Sequence, residues 1–200
     1  MSAFLAKRRT LLTVPAALAV SSLLAACTQK ELAFNGSDIT GTHLGRDLDM
    51  VDHNGQPRRL ADYQGKVALV FFGYTQCPDV CPTAMAELSQ TMELLGQDAD
   101  KVQVLMVSVD PARDTPEILS AYVTAFNPAF VGLTGTPEQL GKTAKSFKAY
   151  YAKSSGGTAD QYGMDHASSF YILDQEGEAR VLVAGNATAK DIAADIRQLL

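Results

Sequence analysis

The 200-residue chain has little cysteine, little histidine and almost no clustered positive charge: three cysteines, three histidines and no tryptophan. Three cysteines are too few for a disulfide scaffold, so each needs its own explanation. The missing tryptophan decides nothing. Beyond the first ten residues there is no basic run, and the net charge is −5, which argues against nucleic acid as a partner. No internal repeat is present. Residues 11–26 are apolar, but they contain Pro15 and are short for a bilayer span. What remains is ordinary globular chemistry, 46% hydrophobic and 20% charged, suited to one domain plus a tail that buries its core without staples.

The first residues read as a targeting segment. Lys7, Arg8 and Arg9 precede the apolar run, and "LLAAC" ends at Cys27. That pattern resembles the bacterial lipobox, in which the cysteine is lipidated and becomes residue one. "RRTLL" is a partial twin-arginine pattern, so export through either the twin-arginine or the general secretory route fits. Removing residues 1–26 strips three positive charges from an already acidic chain. The expected organisation is a lipoprotein signal peptide over 1–26, a lipidated polar tether over 27–41 and one domain over 42–200. Such a protein sits in the bacterial cell envelope, membrane-anchored and facing the periplasm, where a dithiol is oxidised unless it is deliberately reduced or holds a metal.

Within the domain, Asn54-Gly55 marks a hairpin between two short extended stretches. "KVALVFFG" and "KVQVLMVSVD" are apolar runs of β-formers, as expected of strands buried on both faces. Met85, Leu88, Met92 and Leu95 recur at helical spacing and are closed by Gly96. Those methionines share a face with leucines and read as core, not as a copper-binding methionine box. Thr115-Pro116-Glu117 and Thr136-Pro137-Glu138 are capped helix starts, and Thr188 opens a last helix. "AFVGL" is a short strand, "KSSGGTADQYG" a flexible loop, and "SSFYILDQEGEARVLVAG" a hairpin turning at Asp174 to Gly177. This order predicts an α/β sandwich, a central mixed sheet flanked by helices with an N-terminal β-hairpin extension. A dithiol at the end of the first long buried strand, just ahead of a helix, is the thioredoxin-like arrangement.

That dithiol is Cys77 and Cys81 in "FFGYTQCPDVCPTAMAEL". Pro82 cannot occupy a helix interior, so the spacing predicts Pro82 at the first helical position, Cys81 at the N-cap and a tight loop over 77–80. Helix N–H groups then face the sulfurs and favour thiolate, which is both nucleophile and metal ligand. Three uses stay open: a disulfide staple, a redox dithiol, or part of a metal site. A staple closing so small a loop gains little from chain entropy. A disulfide needs sulfurs about 2.05 Å apart, whereas two bonds of roughly 2.3 Å to one ion hold them nearly twice as far apart. The extra residue relative to C-x-x-C leaves room for an ion without forbidding the disulfide. Two thiolates favour a soft ion such as Cu(I), and an added imidazole suits copper or zinc. His43 and His53 lie among polar residues and read as solvated surface groups. His166, in "YGMDHASSFYILD", ends a loop ahead of a strand, where thioredoxins carry a cis-proline beside their dithiol.

"GKVALVFFGYTQCPDVCP", "VSVDPARDTPEIL" and "MDHASSFYILD", in that order, resemble the Sco/SenC family of copper chaperones for cytochrome c oxidase. The resemblance implies a thioredoxin-like fold, membrane tethering, and copper, as Cu(I) or Cu(II), held by Cys77, Cys81 and His166. It also implies delivery to the CuA centre in oxidase subunit II, with another copper donor protein or a thioredoxin-like reductant as further partners. Asp79, Asp165, Asp110 and Arg113 match family positions near the site and are candidates for supporting or docking roles. Either Asp165 or a backbone carbonyl is expected to accept from the second His166 nitrogen. The competing reading is a thiol–disulfide oxidoreductase that keeps the oxidase's copper-ligand cysteines reduced, with Cys77 and Cys81 as its redox pair. A peroxiredoxin-like peroxidase is weaker, because such relatives do not carry this C-P-D-x-C-P pair.

Overall fold

The computed structural model describes residues 32–155, 158 and 162–200. The expected signal segment and Cys27 lie outside them, as does part of the loop expected after Lys153. Residues 33–200 form one compact unit. The described strands are β1 (Ser37–Asp38), β2 (Asp49–Asp52), β3 (Pro57–Arg59), β4 (Val67–Gly73), β5 (Val102–Ser108), β6 (Val131–Thr134), β7 (Tyr151–Lys153), β8 (Met164–His166), β9 (Phe170–Leu173) and β10 (Ala179–Val183). The helices are α1 (Val80–Leu95), α2 (Pro116–Phe126), α3 (Pro137–Phe147) and α4 (Ala189–Arg197).

Eight strands make one mixed sheet in the order β1-β10-β9-β4-β5-β6-β2-β3. The apolar runs of β4 and β5 lie parallel at its centre, and every residue of β4 is buried. This is the expected sandwich, with the thioredoxin-like centre. The N-terminal hairpin extends the central sheet at its edge, through Val51 opposite Thr134 and Asp52 opposite Leu133. Met85, Leu88, Met92 and Leu95 form the buried face of α1, which packs against α4. Each such side chain contributes about 1.5–3 kcal/mol by leaving water. Thr115, Thr136 and Thr188 cap their helices by accepting from the backbone N–H three residues on. Among the described residues no helix is long and apolar enough to cross a membrane.

Two features go beyond the expected element order. Residues 33–39, anticipated as the end of the tether, are tied to the body. Asn35 and Gly36 donate backbone N–H bonds of 2.7 and 2.9 Å to the buried Asp195 carboxylate, and β1 pairs with β10. This polar segment carries no hydrophobic period to announce a strand. The second feature is β7–β8, a two-stranded sheet separate from the main one, within a stretch expected as loop and strand approach. His53 also departs from a purely solvated role: it is half-buried, and its Nδ1 accepts from the Gly132 N–H at 3.0 Å, beside the β2–β6 pairing.

Candidate metal centre

The chain leaves the buried end of β4 at Gly73 and turns through 74–79 into α1. The helix begins two residues earlier than the expected placement. Asp79 is the N-cap, Cys81 lies inside the first turn and Pro82 is its third residue. Proline is tolerated there because the first four helix N–H groups have no intrahelical acceptor, so the one it lacks is not missed. The early start brings the Cys81 N–H within 3.4 Å of Cys77 Sγ, so the helix end does face a sulfur.

The two thiols differ. Cys77 is 9% exposed and receives that backbone donor, whereas Cys81 is fully buried. Burial pushes the Cys81 thiol well above an ordinary cysteine, against a backbone hydrogen bond from Tyr74. At Cys81 desolvation thus outweighs the backbone hydrogen bond and opposes the bias toward thiolate expected of a helix terminus. Both cysteines are free.

His166 is the last residue of β8, opposite Tyr151 in the ladder. Its Nδ1 lies 3.0 Å from the Ala167 carbonyl oxygen and its Nε2 3.3 Å from Cys81 Sγ. A carbonyl only accepts, so Nδ1 carries the proton and Nε2 presents its lone pair toward the sulfur. Phe71 and Tyr74 meet the imidazole edge-on, with ring centroids 6.0 and 5.9 Å away. Among the described residues, Cys77, Cys81 and His166 form the one group of metal-ligating side chains whose donor atoms lie within 4.8 Å of one another. Two sulfurs and one nitrogen make a soft, low-coordinate donor set that fits a copper ion.

The four flanking candidates separate. Asp165 is exposed and accepts from Ser154 Oγ at 2.7 Å, so the backbone carbonyl of Ala167 takes the histidine's proton-bearing nitrogen instead. Asp79 is exposed, makes no side-chain capping bond, and lines a groove with Val80, Ser168 and Asn186. Asp110 is buried and ion-paired with Arg113, which also donates to Gln76 Oε1 at 3.0 Å, next to Cys77. Sequence reasoning passed over Asp114, one residue beyond Arg113. Its buried carboxylate accepts from Thr75 Oγ1 and Ser108 Oγ, each at 2.6 Å, and from the Thr75 N–H at 3.1 Å. It thereby fixes the turn that precedes Cys77. Burial raises its carboxyl above the ordinary range, against the hydrogen bonds from Ser108 and Thr75. The only signal in the sequence was an acid between two already notable residues, Arg113 and Thr115.

Known proteins resemble this chain over most of its length. The SCO1/SenC family model matches residues 37–200. A SCO2-like protein of Rickettsia felis is 35% identical over 136 residues, 68% of this chain and 66% of its own length. The chain thus spans just under two thirds of that relative. A structure of Bradyrhizobium japonicum ScoI with copper bound superposes with a TM-score of 0.73 at 37% identity, covering 78% of this chain and 99% of that one. A SCO1/SenC family lipoprotein from Bacillus anthracis gives 0.67 at 30% identity, over 78% and 96% of the two chains.

Proposed function

Because the chain belongs to the SCO1/SenC family, we propose that it is a membrane-tethered, extracytoplasmic copper chaperone that receives copper on Cys77, Cys81 and His166 and delivers it to the CuA centre of cytochrome c oxidase subunit II. The observation that carries this reading is the convergence of two sulfurs and one imidazole nitrogen within 4.8 Å. Copper bound to the ScoI relative supports the choice of cargo. Three ligands, one of them on a separate hairpin, suit a carrier that must give up its ion by ligand exchange. Each ligand must be deprotonated to bind, so affinity falls in acid.

The tether belongs to the same proposal. Residues 1–26 act as a signal peptide and Cys27 carries the lipid, a reading supported by the lipoprotein relative. Intact mass and membrane fractionation of the wild type and Cys27→Ser test it. The expected wild type starts at Cys27 with added lipid; a mass that retains residues 1–26 without lipid overturns it.

One observation supports a second reading. Cys77 and Cys81 are free, and Cys77 receives a helix N–H. As a reductase, the Cys77 thiolate would attack a client disulfide and release one client sulfur as thiolate. Deprotonated Cys81 would then attack Cys77 and release the second, leaving a reduced client and a Cys77–Cys81 disulfide. A thioredoxin-like dithiol would return the pair to its reduced form.

His166→Ala separates the two. Exchange chemistry needs only the cysteines, so the variant keeps thiol reactivity. The carrier loses a ligand, and since even a partner of a ligand is worth roughly 10–100-fold in metal affinity, copper binding falls by at least that much. Cells carrying the variant fail to assemble CuA under copper limitation. Normal oxidase in those cells would overturn the carrier reading in favour of the reductase.

A further inference from the structure

His166 stands on a hairpin that has no ladder pairing with the main sheet. Its two strands pair over three residues, and a two-stranded ribbon of that length is marginal by itself. Something must therefore hold it where Nε2 meets the sulfurs.

Tyr162 bridges the hairpin and the body of the domain. The Arg113 guanidinium carbon lies 3.6 Å from the Tyr162 ring centroid and Lys153 Nζ lies 3.5 Å from it. Two cations cannot both stand that close over one face, so the ring is held between them. Lys153 belongs to β7, the hairpin's own strand, while Arg113 belongs to the body. The Tyr162 hydroxyl donates to Asp110 Oδ1 at 2.8 Å, and Asp110 is in turn ion-paired with Arg113. Arg113 donates to Gln76, the neighbour of Cys77, and stands 5.9 Å from the Tyr74 ring that abuts His166. One terminal nitrogen of Arg113 is buried with no hydrogen-bond partner among the described residues, a cost that the aromatic faces offset. The path from Tyr162 to His166 is four residues of hairpin, and the path from Arg113 to Cys77 is one side chain.

We propose that Tyr162 is a positioning residue for the metal centre: its ring, gripped between Arg113 and Lys153 and bonded through its hydroxyl to Asp110, clasps the His166 hairpin to the Cys77 turn and sets the imidazole's approach to the two sulfurs. The clasp rests on the ligand reading above for its purpose, but not for its existence, so the two are tested apart.

The test uses the full chain with Tyr162→Leu, which keeps bulk and loses ring and hydroxyl, and Tyr162→Phe, which loses the hydroxyl alone. Amide hydrogen exchange on the metal-free protein comes first. Segments 150–154 and 163–167 of the leucine variant exchange about tenfold faster, those of the phenylalanine variant fall in between, and β4 and β5 do not change. Copper is then added and read by competition titration and X-ray absorption. The leucine variant binds Cu(I) about tenfold more weakly with a diminished imidazole contribution, the phenylalanine variant recovers part of it, and Cys77 alkylation stays within about twofold of wild type. Unchanged exchange in the leucine variant overturns the clasp. Faster exchange with unaltered copper binding overturns the positioning role. A sulfur-only shell in the wild type overturns the ligand reading, while the exchange data still decide the clasp.

Discussion

The dithiol and the histidine stand in two differently built parts of the molecule. Cys77 and Cys81 follow β4, which is buried along its whole length and paired with β5 over seven residues. The turn before Cys77 is fixed by Asp114, which accepts two hydrogen bonds from Thr75 and one from Ser108 of β5, and Cys81 is itself core. His166 stands on a half-exposed ribbon of three pairs, held to the body by side chains and not by a ladder. A site whose ligands all sat in the core would hold an ion well and surrender it poorly. Under the carrier reading proposed above, dividing them would let two sulfurs keep the ion while the third ligand lets go, because local opening is easiest where few buried contacts resist it. Phe71 touches both parts: its ring meets the His166 imidazole, and it lies with Cys81 Sγ against the space beside Gly73.

The strongest way to break this comparison is to remove support from the dithiol half. Asp114→Ala strands the Thr75 hydroxyl, the Thr75 N–H and the Ser108 hydroxyl, and leaving such donors unpaired in the core costs about 3 kcal/mol. Urea unfolding measures the loss, and Cys77 alkylation in the metal-free protein should accelerate as the turn loosens. Unchanged alkylation would show that the turn is held by something other than this carboxylate.

Two glycines sharpen the comparison because similar intrusions meet different surroundings. A Cβ on Gly73 would lie 2.6 Å from a Phe71 ring carbon and 3.1 Å from Cys81 Sγ, both fully packed. Gly73→Ala is therefore expected to cost about 2 kcal/mol and to perturb the copper–thiolate spectrum. A Cβ on Gly185 would lie 2.4 Å from the Ser168 carbonyl oxygen, between two surface loops. That obstacle is backbone, so the loops must separate to admit it; Gly185→Ala is expected to cost about 1 kcal/mol, with faster amide exchange over residues 167–169 and unaltered thiol alkylation. Equal costs at the two glycines would mean the halves are equally stiff.

How much of this was legible in the sequence follows the same division. The central strands announce themselves by continuous apolar runs, and the capped helices by threonine–proline–acid starts, since both signals are local. Cys77 and Cys81 are nameable because their motif is compact, whereas His166, 85 residues beyond Cys81, is nameable only through its place ahead of a strand and the family resemblance. The β7–β8 ribbon was not, because three-residue strands carry no readable alternation and their partners are separated by a polar loop. Tyr162 and Asp114 escaped for a different reason. A tyrosine in a polar loop and an acid in a charged turn look solvated until folding brings Arg113 and Thr75 to them. The start of α1 is not legible from Pro82 alone, because the third helical position lacks an acceptor to lose just as the first does.

The smallest expected effect concerns the charge that the dithiol half tolerates. Burial raises the Asp114 carboxyl, and the donors from Ser108 and Thr75 do not fully offset it. A carboxyl whose folded pKa exceeds its unfolded value binds more protons in the native state across the interval between them. Its stabilising contribution is fully present below the unfolded value and is lost as pH rises through the folded one. Near neutrality Asp114 is thus held at a cost that protonation would relieve, the opposite of Asp52, where burial opposes ionisation but bonds from Gln56, Arg58 and Asn54 win and lower the carboxyl. Asp114→Asn isolates the effect. Its carbonyl can accept from the Ser108 hydroxyl and the Thr75 N–H while its amide donates to Thr75 Oγ1, a role the hydroxyl can take. Urea unfolding of wild type and variant, compared from about pH 7 down to about pH 4, should show the difference shifting toward the wild type on acidification, over the interval that begins above an ordinary aspartate. The shift should be smaller than the three effects above. A difference that is flat, or that moves toward the asparagine variant, would mean the hydroxyls at Thr75 and Ser108 stabilise the carboxylate fully, and the dithiol turn rests on an ion the core accepts without penalty.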